Sequence, residues 1–232
     1  MNADGQALDG RALDGRAVIL GRIRRALGPD RDAPPVPRDY APASLEVGTP
    51  ELIALFAERM EGAHATVRRV HDAEVAAAVA DIAGRRGLRR IITPPGLDRR
   101  WRPEAGAEWL ADDPPLTTGQ VEGADAVLTA ATVAAADSGT LVLDGGPGQG
   151  RRVLSLLPDA MIVVLRAGQV VADFPAAVAR MDPARPLTVV SGPSATVDIE
   201  LSRVDGVHGP RELDVVIIED AAAEPPLAGG RG

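Results

Sequence analysis

The sequence predicts an α/β fold: a three-layer αβα sandwich around a mixed, mostly parallel sheet, preceded by an N-terminal helical arm. Three observations predict it. Short β-branched and apolar runs recur along the chain, segments with helical apolar periodicity separate several of them, and Gly/Pro pairs punctuate the joins. Strands that alternate with helices tend to run in one direction, giving a sheet covered on both faces.

Residues 1–48 read as a tail, a short helix and a proline-rich connector. The repeat Leu8-Asp-Gly-Arg-Ala12, Leu13-Asp-Gly-Arg-Ala17 has too few copies for a solenoid. Ala17–Leu27 places Ile19, Ile23 and Leu27 on one helical face and stops at Gly28-Pro29, after which Pro34, Pro35, Pro37 and Pro42 form an extended connector. This arm docks either on its own domain or on a partner.

The main domain, 49–220, opens with Thr49 as N-cap and Pro50 as first helical residue, with Leu52, Leu55, Phe56 and Met60 as the buried stripe. A strand is expected within Gly62–Val70, a helix over Ala73–Arg85, and a buried strand at Arg89–Thr93 stopped by Pro94-Pro95-Gly96. Beyond a loop containing Trp101 and Trp109, strands are expected at Ala126–Thr129, Thr140–Leu143, Met161–Leu165, Leu187–Val190 and Val215–Ile218. Helical stretches are expected around Val153–Leu157, Pro175–Met181 and Ala195–Leu201. Residues 221–232 read as a flexible tail.

Composition narrows the chemistry. The net charge of -8 disfavours binding to a nucleic-acid backbone. There is no cysteine, so the chain has no thiol nucleophile and no thiolate to ligate an iron–sulfur cluster by itself. All 25 basic residues are arginine, which removes Schiff-base lysines and the P-loop lysine. The three histidines, His64, His71 and His208, lack metal-ligand spacing, so no metal and no bound cofactor are expected. The N-terminus lacks an apolar signal core, and Ala126–Ala136 is too short to span a membrane. The expectation is therefore a cytoplasmic protein with no membrane partner.

Four motifs can carry chemistry, each with a plainer alternative. Asp137-Ser138-Gly139-Thr140 sets a glycine between two hydroxyls, where a ligand can approach the backbone, or it is an ordinary turn. Gly145-Gly-Pro-Gly-Gln-Gly150 precedes Arg151 and Arg152; its glycine spacing fits neither a Rossmann nor a P-loop pattern, and its arginines either meet solvent or hold an anion. In Ser191-Gly192-Pro-Ser194-Ala-Thr196-Val-Asp198-Ile-Glu200, a strand runs into a turn and Ser194 caps a helix. That helix start, with Ser194 and Thr196, would attract an anion, while Asp198 would take a ligand hydroxyl; a capped helix with surface carboxylates is the alternative. In Gly206-Val-His208-Gly-Pro-Arg211, His208 can transfer a proton near neutral pH and Arg211 can fork onto a carboxylate or phosphate, or both are structural.

The order of Asp137-Ser-Gly-Thr-Leu-Val-Leu143, Arg152–Pro158, the Ser191–Glu200 motif and Gly206–Arg211 resembles the LUD domain, over about Thr49–Ile218. Two positions depart from its usual pattern: Met161, where relatives often have histidine, and Ala195, where arginine often precedes the threonine. The resemblance implies a fold similar to the NagB/RpiA/CoA transferase superfamily. It also implies a part in oxidising L-lactate to pyruvate alongside iron–sulfur partner proteins. Without cluster ligands of its own, the chain would be the non-redox component. Ser194, Thr196 and Arg211 would hold a small organic acid or phosphate ligand, with His208 as the proton-transfer group. Two other readings stay open: a stand-alone enzyme or binding protein for a phosphorylated or CoA-activated small acid, and a regulatory scaffold without catalysis.

Overall fold

Buried β-branched runs decide the architecture. Ala160–Arg166 (AMIVVLR) and Glu212–Ile218 (ELDVVII) are almost continuously apolar and almost wholly buried, the pattern of strands covered on both faces. The computed structural model describes residues 15–28, 35–37, 44, 46–182, 184–196, 204–206 and 209–219. The chain forms two units, 1–40 and 41–232. The expected tails, most of the proline connector, Asp198 and His208 lie outside the described residues.

The first unit holds α1 (Gly15–Leu27), with Ile19, Ile23 and Leu27 exposed on one face. The second begins with α2 (Pro50–Gly62), β1 (Thr66–Val70), α3 (Val75–Arg86), β2 (Arg90–Thr93), β3 (Glu108–Ala111) and α4 (Thr118–Glu122). It continues through β4 (Ala126–Ala130), β5 (Val133–Ala135), β6 (Thr140–Leu143), β7 (Ala160–Arg166), β8 (Val170–Val171) and α5 (Phe174–Val178). The last strands are β9 (Thr188–Val190), β10 (Ala195–Thr196), β11 (Val204–Asp205) and β12 (Glu212–Ile218).

Six strands in the order β1-β12-β7-β4-β2-β3 form one sheet, every pair parallel. On one face, α3 packs Val75, Val79 and Ile82 with Trp101 against Leu128, Ile162, Val164, Val216 and Ile218. The opposite face carries α2 (Leu52, Ile53, Phe56, Met60) and Val121 of α4. Beside them lies a second sheet, β8-β5-β6-β9, which contributes Ala134, Leu141 and Leu143 to the same core. The outer face of that small sheet is closed by α5 through Ala176 and Ala177. The mixed character thus belongs to the four-stranded sheet, while the six-stranded sheet is purely parallel.

Local chemistry explains the helix ends. The Thr49 hydroxyl accepts from the Leu52 N–H at 3.3 Å with Pro50 as the first helical residue, as expected. α3 stops at Gly87, whose φ of 65° is the left-handed conformation glycine adopts most readily. Beneath the end of α3, buried Asp214 of β12 accepts from Arg86 Nε at 2.5 Å. Burial raises the Asp214 carboxyl above its ordinary range against the pull of that guanidinium.

Several expectations are corrected. Ala195–Leu201 does not begin as a helix: Ala195–Thr196 is a strand paired antiparallel with Val204–Asp205. The flanking backbone is committed to that pairing, with the Ser194 N–H donating to Pro210 O and its carbonyl accepting from Gly206 N–H, both at 2.8 Å. Ser194 therefore caps no helix. The strand expected at Leu187–Val190 is Thr188–Val190, an edge strand with Val189 half exposed. The stretch near Val153–Leu157 is a single 3₁₀ turn, Arg152–Ser155. Residues 62–63 finish α2, so only Thr66–Val70 of the expected strand extends. The stretch expected as a loop around Trp101 and Trp109 contains β3, and α4 and β5 lie where no element was expected.

Phe56 is fully buried where α2 meets both sheets. Phe56→Ala should cost about 3–5 kcal/mol in urea unfolding with an unchanged denaturant slope. A loss below about 1 kcal/mol would show that α2 is not part of the shared core.

Candidate functional site

In parallel sheets the loops that follow the carboxyl ends of the strands are the ones free to form a site. Here the loops after β2 and β3 meet segments joined to the small sheet around a cleft of about 880 Å³. Its wall is drawn from Pro95 and Gly96 after β2, Asp112 and Asp113 after β3, most of residues 143–152 at and after the end of β6, Ser155, and the segment 185–188 leading into β9.

The glycine-rich loop is fastened to the sheet. Gly148 O accepts from Ala130 N–H at 2.8 Å and from Thr129 Oγ1 at 3.1 Å, while its own N–H donates to Pro95 O at 2.8 Å. The loop thereby bridges the ends of β2 and β4. At Gly150, φ is 70° and a Cβ would lie 2.7 Å from Pro94 Cβ and 2.8 Å from Leu154 Cδ1, so no larger residue fits there. Buried Gln149 closes the loop from inside: its Oε1 accepts from Asp144 N–H at 2.6 Å, and its Nε2 donates to Thr132 Oγ1 at 2.8 Å.

Two carboxylates sit under the wall, Asp112 at 3% and Asp144 at 7% exposure. Arg151 grips Asp112 with two bonds, Nε to Oδ2 at 2.9 Å and Nη2 to Oδ1 at 2.6 Å, and also donates to Leu116 O. Arg185 Nη1 donates to Asp144 Oδ2 at 2.7 Å, and Gly146 N–H donates to Asp144 Oδ1 at 2.9 Å. Burial pushes both carboxyls up, yet both lie below the usual carboxylate range. For Asp112 the hydrogen bonds from Arg151 and the Leu116 N–H and the arginine charge prevail. For Asp144 the bonds from Arg185, Thr132 and the Gly146 N–H prevail.

Arg152 is placed differently. It is exposed on the cleft wall, and among the described residues no carboxylate or carbonyl pairs with its guanidinium. Its backbone carbonyl accepts from Ser155 Oγ at 2.9 Å, which fixes the turn that presents it.

The remaining residues expected from the sequence fall in two other groups. The Thr140 and Ser191 hydroxyls are 2.8 Å apart, so these motifs do meet. They meet at the far end of β6 from Leu143, about 10 Å along the strand from the cleft. Gly139 there lies against Arg59 and Met60, and Gly192 against Ala63, so the end of α2 fills the approach to both glycines. Asp137 N–H donates to Ala172 O at 3.0 Å, and Ser138 stands in the β5–β6 turn. The second group joins the two late motifs. Ser194 pairs with Pro210, Gly206 lies against the Arg211 side chain, and Gly209 lies against Ser194 and Ser155. Arg211 is exposed and its Nε lies 3.5 Å from Asp159 Oδ1. Thr196 stands opposite Val204 in the β10–β11 pair. Since Ser155 also lines the cleft, this second group borders it.

Sequence reasoning missed Asp112, Asp144, Gln149 and Arg185. Asp112 and Arg185 sat in stretches without a periodic signal, and the Gly145–Gly150 run was the one clue to the rest. Among the described residues no group of three or more His, Asp or Glu is arranged to hold a metal, and no helix is long and apolar enough to cross a membrane.

The family model of the LUD domain matches residues 53–218. Lactate utilization protein C of Deinococcus radiodurans is 41% identical over 206 residues, covering 86% of this chain and 93% of its own length. The protein of that name from Halalkalibacterium halodurans is 30% identical over 217 residues, covering 87% and 93%. A crystal structure of a DUF162 family protein from Deinococcus radiodurans is also similar, at 35% identity and a TM-score of 0.60 over 72% of this chain and 96% of that one.

The depressed Asp112 carboxyl stabilises the fold above its unfolded-state value, and that contribution is lost as pH falls through the lower folded-state value. At neutral pH Asp112→Asn should cost about 1–3 kcal/mol. Against wild type, the deficit should shrink as pH drops below about 4. Urea titrations of both proteins across pH measure it; a deficit constant down to the acid limit would show that the carboxylate charge plays no part.

Proposed function

The chain belongs to the LUD domain family, and from that premise we propose that it is a non-redox component of an L-lactate utilization system. Oxidising lactate to pyruvate releases two electrons and two protons. A chain without cysteine supplies no thiolate to an iron–sulfur cluster, so the electrons pass to cluster-bearing partner proteins. The relatives named lactate utilization protein C support the pathway.

One observation carries the assignment of this chain's own part. The cleft beyond β2 and β3 presents one guanidinium, Arg152, that no carboxylate among the described residues neutralises, beside two arginines already held by Asp112 and Asp144. Arg152 takes the carboxylate of the small acid, in a planar two-point contact that suits it. Arg151 and Arg185 hold the wall in shape. Ser194 and Arg211, whose group borders the cleft, serve the same ligand, and Thr196 and Asp198 are assigned to it from their sequence motif alone. His208 is assigned proton transfer on the chemistry of an imidazole in the Gly206–Arg211 motif. Asp137, Ser138, Gly139, Thr140, Ser191 and Gly192 gather at the other end of β6, against the end of α2, and are assigned no contact with the ligand in this cleft.

Arg152→Ala should weaken binding of L-lactate and pyruvate about tenfold or more, the loss of a charged hydrogen-bonded contact, and Arg152→Lys should restore part of it. Titration calorimetry on the purified chain reads the change; equal affinities in wild type and Arg152→Ala remove the cleft from the reading. Deleting the gene should abolish growth on L-lactate. Normal growth on it would remove the pathway.

A further inference from the structure

We propose that the full-sized occupant of the cleft is a phosphorylated, ring-bearing molecule of the nucleoside phosphate class, which competes with the small acid for Arg152. This rests on the reading above that Arg152 is the anion contact, and it names a ligand that reading does not.

Size is the first reason. Clefts of about 300–1,000 Å³ hold drug-sized or cofactor-sized ligands. At about 880 Å³, this one is left mostly empty by a three-carbon acid. A binding site that excludes little water from its ligand gains little from burial, so the spare volume is a poor fit to lactate as sole occupant.

The wall is the second reason. Four exposed prolines from four separate segments, Pro95, Pro115, Pro147 and Pro186, face this space together with Leu143. Pyrrolidine rings carry no N–H and present rigid C–H surfaces. Such surfaces complement the electron-rich face of a planar ring. Neither lactate nor inorganic phosphate would use them.

The third reason is the polar remainder. Three arginines and three aspartates line the cleft, but two of each neutralise one another behind the wall. That leaves Arg152 and Asp113, both exposed and neither with a side-chain partner among the described residues. One unmet cation suits a phosphate, and one unmet carboxylate suits the hydroxyls of a ribose. A bare ring would leave both charges unmet, and a bare phosphate would leave the prolines uncovered. A nucleoside phosphate meets all three requirements. Because its phosphate and the lactate carboxylate use the same guanidinium, each lowers the affinity for the other by the same factor.

The test is calorimetry on the full chain with AMP, ribose 5-phosphate, inorganic phosphate and L-lactate. AMP should bind at least tenfold tighter than ribose 5-phosphate or inorganic phosphate, and saturating AMP should weaken lactate binding at least tenfold. Arg152→Ala should reduce AMP affinity at least tenfold. Pro115→Ala should reduce it several-fold and leave inorganic phosphate unchanged. AMP binding no tighter than inorganic phosphate, or binding that leaves lactate affinity unaltered, overturns the proposal. If lactate binds through Arg152 and AMP does not bind, only this proposal falls; if neither ligand binds, the anion-site reading falls with it.

Discussion

Two carboxylates buried at strand ends, Asp112 after β3 of the parallel sheet and Asp144 after β6 of the small sheet, set the terms for everything around them. Neither Asp112 nor Asp144 could remain ionised under a protein wall without a cation and backbone N–H groups to replace lost water. Each has them: Arg151 with the Leu116 N–H for one, Arg185 with the Gly146 N–H for the other. Those pairings tie the loop after β3 to the glycine loop, and the glycine loop to the segment before β9. Three strands remote in sequence are thereby held around one opening. Pairs of this kind gain little net energy over apolar packing, but breaking one leaves a buried charge unpaired, so they fix geometry more than they add stability.

The opening exists because a second sheet lies across the first. Leu141 and Leu143 of β6 enter the same core as Met161, Val163 and Val215 of the parallel sheet. The segment that leaves β6 is therefore delivered to the strand ends of the larger sheet, where Gly148 bridges β2 and β4. Without the small sheet, the glycine run would have no fixed place beside Pro94 and Pro95.

Much of the fold was legible because it rests on local signals. Thr49-Pro50 announces a helix start through capping chemistry, and the β-branched runs at Met161–Leu165 and Val215–Ile218 announce strands covered on both sides. The failures share one cause. Trp109 lies in a strand that exists only because Ile91 pairs with it, and Val133–Ala135 only because β6 folds back on it. Ala195–Thr196 follows a good capping residue, yet tertiary pairing with Val204–Asp205 overrides that local preference. The site divides the same way. Arg152 and the glycine run could be read directly, while Asp112 and Arg185 acquire meaning only from partners 39 and 41 residues distant.

The exclusive use of arginine has a consequence for this opening. A guanidinium keeps its proton at any pH where a protein stays folded, whereas an ammonium in the same half-buried position would begin to lose its own in mild alkali. The cationic half of each clamp is therefore indifferent to base, and only the aspartate half can be neutralised. Its electrostatic fastening can be released from one direction alone, by acid, and the same invariance leaves no amine there for acylation to cap.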